Sequence, residues 1–107
     1  SRGLGDVYKR QVEERMKDAE LNVEDLGRNM GMSRVQLFRK LKSLTNYSPN
    51  ELLRQMRLKK AASLLASSDM TVAEIAYEVG FSSPSYFTKC YKEQFGESPT
   101  EFLKRRG

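Results

Sequence analysis

Basic and small polar side chains share one face of a helix that the sequence predicts in its last third. Ser85, Lys89 and Lys92 lie on this face at helical spacing, and the apolar residues Phe87 and Tyr91 lie on the opposite face. Ammonium and hydroxyl groups donate hydrogen bonds to base edges and to phosphate oxygens. The polar face is therefore suited to a polyanion, and the apolar face is expected to pack inward.

A second predicted helix, after Ser33, shows the same division between two faces. Val35, Arg39 and Lys42 lie on its outer face. The flanks of that face carry Arg34, Gln36 and Phe38, and the inner face carries Leu37, Leu41 and Leu44. The guanidinium fork of Arg39 matches the O6 and N7 edge of guanine, so we expect it to contact a base. Lys89 has the equivalent place in the other helix, and a solvated surface cation is the alternative for both.

Phosphate contacts are expected further along these helices and at helix N-termini. Lys42 and Lys92 lie about one turn beyond the base-facing cations, where phosphates are nearer than bases. Free N–H groups at four predicted helix starts can also hold phosphates, although capping alone explains the serines found there. Those serines are Ser33, Ser48, Ser83 and Ser98.

These helices belong to two copies of one helix-turn-helix pattern. Residues 22–32 match 71–81 at an offset of 49, with Gly31 and Gly80 ending the first helix of each copy. One extra residue in the second turn makes the later offset 50, which pairs the two outer faces. The sequence thus predicts an all-α fold with two helix-turn-helix subdomains.

Capping boxes mark the starts of three predicted helices, since a serine or threonine is followed three residues later by glutamate. The pairs are Thr71 with Glu74, Ser48 with Glu51, and Ser98 with Glu101. The middle pair begins one long linker helix that continues to about residue 66, roughly 27 Å at 1.5 Å per residue. Successive major grooves on one face of B-DNA lie about 34 Å apart. A linker helix of this length can therefore connect two helices that each enter a major groove.

The first ten residues hold two glycines and no strong apolar period. We interpret them as a leader added for expression or as a junction to an upstream segment. A helix is expected from about Asp6, because Tyr8, Val12 and Met16 lie one turn apart. The predicted division of the chain is a leader at 1–10, a first subdomain at 11–47, the linker helix at 48–68 and a second subdomain at 69–107.

Composition narrows the classes of function. The 107 residues carry a net charge of +5, with 38% hydrophobic and 31% charged residues, which suits a small helical domain with a polyanionic partner. The chain has no His and a single Cys, Cys90, so we predict no metal site, no internal disulfide and no catalytic nucleophile with its base. No apolar run reaches the ~20 residues of a membrane span. We therefore predict a cytoplasmic protein that is not an enzyme, needs no cofactor and makes no membrane contact.

A specific motif lies in the second copy. It consists of Ile75-Ala76, Val79-Gly80-Phe81, Tyr86-Phe87, Tyr91-Lys92, Phe95-Gly96 and Ser98-Pro99. With this motif the chain resembles the AraC/XylS family of bacterial transcription regulators over about residues 12–105. The resemblance implies seven helices, with the third and sixth as readers, and it implies base contact by Phe38 and Thr88 as well.

The first copy looks most similar to output domains of hybrid two-component regulators, in which sensor, kinase, receiver and reader share one polypeptide. The residues that carry this likeness are Met30-Gly31-Met32-Ser33 and Leu41-Lys42-Ser43-Leu44-Thr45. The chain departs from the family at Asn46, where glycine is common, but asparagine also tolerates the left-handed conformation. The resemblance implies upstream sensor or receiver domains in a longer chain.

The combined prediction is sequence-specific binding of a double-stranded DNA operator for transcription regulation, with RNA polymerase as a further partner. The predicted base-reading residues are Arg34, Val35, Gln36, Phe38, Arg39, Ser85, Tyr86, Thr88 and Lys89. Two alternatives stay open, namely nonspecific DNA binding and a helical protein-interaction module that uses the same faces. The second alternative would bind with little salt dependence, whereas DNA binding weakens steeply as salt rises.

Overall fold

Seven α-helices account for most of residues 2–107, the part of the chain that the computed structural model describes. They are α1 (Arg2–Arg15), α2 (Val23–Asn29), α3 (Arg34–Thr45), α4 (Pro49–Ser67), α5 (Val72–Glu78), α6 (Pro84–Phe95) and α7 (Pro99–Arg106). No strand occurs among these described residues. The all-α fold with two helix-turn-helix pairs, α2–α3 and α5–α6, is therefore confirmed.

The chain divides into two compact units, unit 1 at 1–55 and unit 2 at 56–107. The division lies inside α4, which we predicted as a linker between subdomains. Leu52 and Leu53 are buried in the part of α4 that belongs to unit 1, and Leu58, Ala61 and Leu65 are buried in the part that belongs to unit 2. Each unit thus takes its own buried apolar residues from this helix.

The core of unit 2 forms where α6 packs against α5. Phe87 and Tyr91 of α6 are buried together with Ile75 of α5 and with Val79, the residue that follows α5. The Phe87 ring centroid lies 5.2 Å from that of Phe81 and 5.8 Å from that of Tyr91, with tilted rings. Such tilted pairs are favourable for aromatic rings, so the core is specific in shape as well as apolar. The predicted inner face of α6 is confirmed.

In unit 1 the inner face of α3 is buried except at its last residue. Leu37 and Leu41 are almost completely buried, whereas Leu44, predicted to share their environment, is 44% exposed. Leu44 lies in the last turn of α3 and lines a surface depression together with Leu4 and Lys40. The equivalent position in α6 is the polar residue Gln94, in line with a site that lies outside the core.

Tyr8 connects α1 to the start of α4 within unit 1. Its ring is completely buried, and its hydroxyl donates a hydrogen bond of 2.8 Å to the carbonyl of Pro49. The helix that carries it begins at Arg2, earlier than the expected start near Asp6. This early start was not predicted because Gly3 and Gly5 lower helix propensity. Residues 2–10 are thus helical, and their interpretation as a leader or as a junction to an upstream segment stays a prediction.

Side-chain caps close the helix N-termini as predicted. At the start of α7 the Ser98 hydroxyl accepts from the Glu101 N–H at 3.1 Å, and the Glu101 carboxylate accepts from the Ser98 N–H at 2.8 Å. The same exchange occurs between Thr71 and Glu74 and between Ser48 and Glu51. The cap N–H groups lower the pKa of all three glutamates, because they stabilise the ionised carboxylates.

Asn46 ends α3 in the left-handed conformation, with φ of 64°, and its N–H donates to the Lys42 carbonyl at 2.9 Å. Gly96 does the same after α6, with φ of 81° and a bond of 2.8 Å to the Lys92 carbonyl. Asparagine is among the few side chains that adopt this conformation at modest cost. The departure from glycine at this position therefore leaves the helix end intact.

Replacing Tyr8 with Phe should lower the free energy of unfolding by about 1–2 kcal/mol. The substitution removes the buried hydrogen bond that the Tyr8 hydroxyl donates to the Pro49 carbonyl. Urea unfolding followed by circular dichroism measures the change. Tyr47→Phe is the matched control, because the Tyr47 side chain is 39% exposed and its hydroxyl removal should cost less than about 0.5 kcal/mol. Equal losses for both variants would contradict a structural role of Tyr8.

Acid should destabilise the helix starts through the capping glutamates. Their pKa values lie below the ordinary 4.5 in the folded chain, so the stabilisation is present above pH 4.5 and is lost as the pH falls through the lowered values. Replacing Glu51, Glu74 and Glu101 with Gln should flatten the dependence of Tm on pH between about pH 6 and pH 3.

A matched control replaces three exposed glutamates outside the caps, Glu13, Glu14 and Glu93, with Gln. It changes the net charge equally and should keep the steep fall of Tm in acid. If the variant without the three capping glutamates loses Tm in acid as steeply as the unchanged chain, the capping glutamates are not the cause of the acid destabilisation.

Candidate nucleic-acid interface

The outer face of α3 brings together most of the residues predicted to read bases in unit 1. Val35 and Phe38 are 62% and 49% exposed, and Arg39 lies beside them on the surface. A shallow depression on this face is lined by Arg34, Val35, Phe38, Arg39, Lys42 and Ser43. No Asp or Glu occurs along α3, so its exposed face is cationic with an apolar patch.

Arg34 begins α3 and forms an ion pair with Glu24 of α2, with 3.4 Å between Nη1 and Oε1. Both side chains are substantially exposed, at 77% and 44%. Exposed pairs of this kind contribute less than about 1 kcal/mol, so a phosphate or base can replace the carboxylate at little cost. Arg34 therefore lies on the predicted face but is held by a neighbouring helix.

Gln36 has a structural task that the sequence analysis missed. The side-chain oxygen of Gln36 accepts a hydrogen bond from the backbone N–H of Ser33 at 2.9 Å. The backbone N–H of Gln36 donates to the Ser33 hydroxyl at 3.2 Å. The pair is a capping box, and the pattern of serine followed three residues later by glutamine was the signal that identifies it. The oxygen is occupied by the cap, which leaves only the amide NH₂ group available for a base.

The outer face of α6 carries the corresponding residues of unit 2. Ser85, Lys89 and Lys92 are exposed, as predicted. Tyr86 is 48% exposed, and its ring lies 5.8 Å from that of Phe81, which restricts its orientation. Thr88, which the family resemblance assigns to base reading, is half-buried and therefore less accessible than Ser85 and Lys89.

The residues predicted to hold phosphates lie at helix ends. The four serine hydroxyls accept hydrogen bonds of 3.1–3.2 Å from the N–H of the residue three positions on. These serines, Ser33, Ser48, Ser83 and Ser98, keep their hydroxyl protons available for donation. Lys42 donates to the Asn46 carbonyl at 3.1 Å and so also caps the end of α3, whereas Lys92 is exposed on α6.

Other kinds of site find little support in residues 2–107. No group of three or more His, Cys, Asp or Glu side chains in this part of the chain is arranged to hold a metal ion. Cys90 is a buried free thiol that contributes to the core of unit 2. Among the described helices, none combines the length and the apolar character that a membrane crossing requires.

Comparison with known proteins identifies relatives of this arrangement. Histidine kinase P4 of Formosa agariphila is 40% identical over 94 residues, which are 88% of this chain and 7% of that protein. The HTH-type transcriptional regulator MtrA of Neisseria gonorrhoeae is 34% identical over 104 residues, or 97% of this chain and 34% of that protein. The chain therefore spans about a third or less of the length of these curated relatives.

The fold matches a domain solved on DNA. The DNA-binding domain of AdpA, a global transcriptional factor crystallised with a target DNA, has a TM-score of 0.87 and 31% identity, and the match covers 95% of this chain and 90% of that one. A sequence profile described as "Helix-turn-helix domain" matches residues 26–105, from the middle of α2 to near the end of α7. The chain belongs to the AraC-type helix-turn-helix family that its motifs resembled.

Proposed function

We propose that the chain binds double-stranded DNA sequence-specifically and serves as the DNA-binding part of a bacterial transcription regulator. The observation that carries the proposal is the outer face of α3, where Arg34, Arg39 and Lys42 surround an exposed apolar patch and no carboxylate occurs along the helix. A cationic surface attracts the DNA phosphates and releases their counterions on binding. The likeness to a domain solved with its target DNA supports the same conclusion.

Each unit contributes one reading helix in this proposal, α3 in unit 1 and α6 in unit 2. The second helix of a helix-turn-helix pair enters the major groove, where each base pair presents a distinct pattern of donors and acceptors. Arg39 and Lys89 lie on the exposed faces of these helices and contact base edges. Lys42 and Lys92 lie about one turn further along and contact phosphates.

The domain is proposed to act within a longer protein. One relative is a histidine kinase of which the matched segment forms only 7%, so sensor or receiver domains upstream of this reader are the natural input. RNA polymerase is the proposed partner through which DNA binding alters transcription, and the cytoplasm is the proposed location because the DNA is there. No catalytic step is assigned to the domain itself.

Substitutions on the two helices should separate base reading from phosphate binding. Arg39→Ala and Lys89→Ala should each cost about 1–3 kcal/mol at the cognate site and relax specificity at one position, because a base contact is lost. Lys42→Ala and Lys92→Ala should weaken binding to every sequence and reduce the salt dependence. Fluorescence anisotropy with cognate and random duplexes over a series of salt concentrations measures both effects. Equal losses on cognate and random DNA for Arg39→Ala would contradict its assignment.

Selection from randomised duplex DNA tests the proposal as a whole. The purified chain at physiological salt should enrich two short blocks about 10 base pairs apart, one for each reading helix. Arg39→Ala should relax the preference at one position of one block and Lys89→Ala at one position of the other, which assigns the blocks to units. A single block would mean that one unit only holds phosphates. A pool without enrichment would refute sequence-specific reading in favour of nonspecific binding or a protein-interaction face.

A further inference from the structure

The two reading helices differ in the chemistry of their outer faces. On α3 the residues Val35 and Phe38 are 62% and 49% exposed, although both are apolar. The equivalent positions of α6, at the offset of 50, are Ser85 and Thr88, which carry hydroxyl groups. The inner faces of the helices are alike, so this difference is not required by packing.

Three cations lie next to the apolar patch on α3. Arg34, Arg39 and Lys42 line the same depression as the two apolar side chains. Leaving such a patch in water is unfavourable, and it becomes favourable only when a ligand covers it. The surrounding charge selects a polyanion, so the occupant must be anionic overall and yet present a small apolar group.

Major-groove DNA meets both requirements. Its phosphates are anionic, and the C5-methyl group of thymine is the apolar group that a base pair presents in the major groove. Val35 precedes Arg39 by one helical turn, a rise of about 6 Å, while base pairs follow one another every 3.4 Å or so. Contacts from these two side chains therefore fall about one to two base pairs apart when α3 lies along the groove.

We infer that α3 recognises the C5-methyl group of a thymine through Val35 and Phe38, beside a guanine contacted by Arg39. The inference rests on the proposed function, because it assumes that α3 enters the major groove. It adds a division of labour between the units. Unit 1 reads a methyl group by apolar contact, whereas unit 2 reads donors and acceptors through Ser85 and Lys89.

Replacing thymine with deoxyuridine tests the inference, because uracil pairs as thymine does and lacks only the methyl group. Each thymine of the selected duplex is replaced singly, and affinity is measured by fluorescence anisotropy with the full 107-residue chain. One replacement, in the block that depends on Arg39, should weaken binding about fourfold, which is the value of one buried methyl-sized group. Replacements in the other block should change affinity less than twofold or so.

Variants connect this effect to the apolar patch. Val35→Ala and Phe38→Ala should each reduce the ratio of affinities between the thymine and uracil duplexes, because each removes part of the apolar contact with the methyl group. Ser85→Ala is the matched control on α6 and should keep the full ratio between the two duplexes. The exposed positions of Val35 and Phe38 predict that both variants fold, which circular dichroism verifies.

The outcomes separate this inference from the proposed function. Recognition of the methyl group would be overturned if the block that depends on Arg39 contains no thymine, or if its uracil duplex binds as tightly as its thymine duplex. In either case DNA binding by the chain would stand. Retention of the full ratio by both Val35→Ala and Phe38→Ala would also overturn it and would leave the patch to a protein partner. Absence of any selected block would instead refute sequence-specific binding itself.

Discussion

The turn between the two helices of each pair depends on one backbone hydrogen bond that closes across a left-handed glycine. The Met32 N–H donates to the Gly27 carbonyl in unit 1, and the Phe81 N–H donates to the Ala76 carbonyl in unit 2, both at 2.9 Å. Space is tight here, since a Cβ on Gly27 would lie only 3.3 Å from the Leu37 side chain. This closed turn presses the inner face of the reading helix onto its neighbour, so the opposite face remains exposed.

The two units repeat the same scaffold but not the same surface. Their caps, turns and inner faces agree in type, because these features are what the helix-turn-helix arrangement requires. The outer faces are free of that requirement and have diverged, with Val35 and Arg39 on α3 against Ser85 and Lys89 on α6. A scaffold of this kind can change its reading residues at little cost in stability, since exposed substitutions rarely exceed about 0.5 kcal/mol.

Net charge by itself overstates how many cations are available to DNA. Arg105 pairs with Glu97 through two hydrogen bonds of 2.8 and 3.3 Å and stacks over the Phe102 ring. Arg106 donates to the Leu65 carbonyl and so binds the last turn of α4. These basic residues stabilise unit 2 and are occupied within it. Burial and the Glu97 carboxylate raise the pKa of Tyr91 in the same region, where Arg105 partly offsets them.

The sequence by itself determined the features that arise between residues three to five positions apart. Helical periodicity, the caps and the reading faces are of this kind, and even the missed cap of Gln36 was present as a local pattern. Only the tertiary structure decided the features that depend on distant residues. Tyr8 meets Pro49 across 41 positions, and Leu44 is exposed although its spacing matches that of the buried Leu37 and Leu41. Such contacts follow the path of the chain in space, which periodicity does not encode.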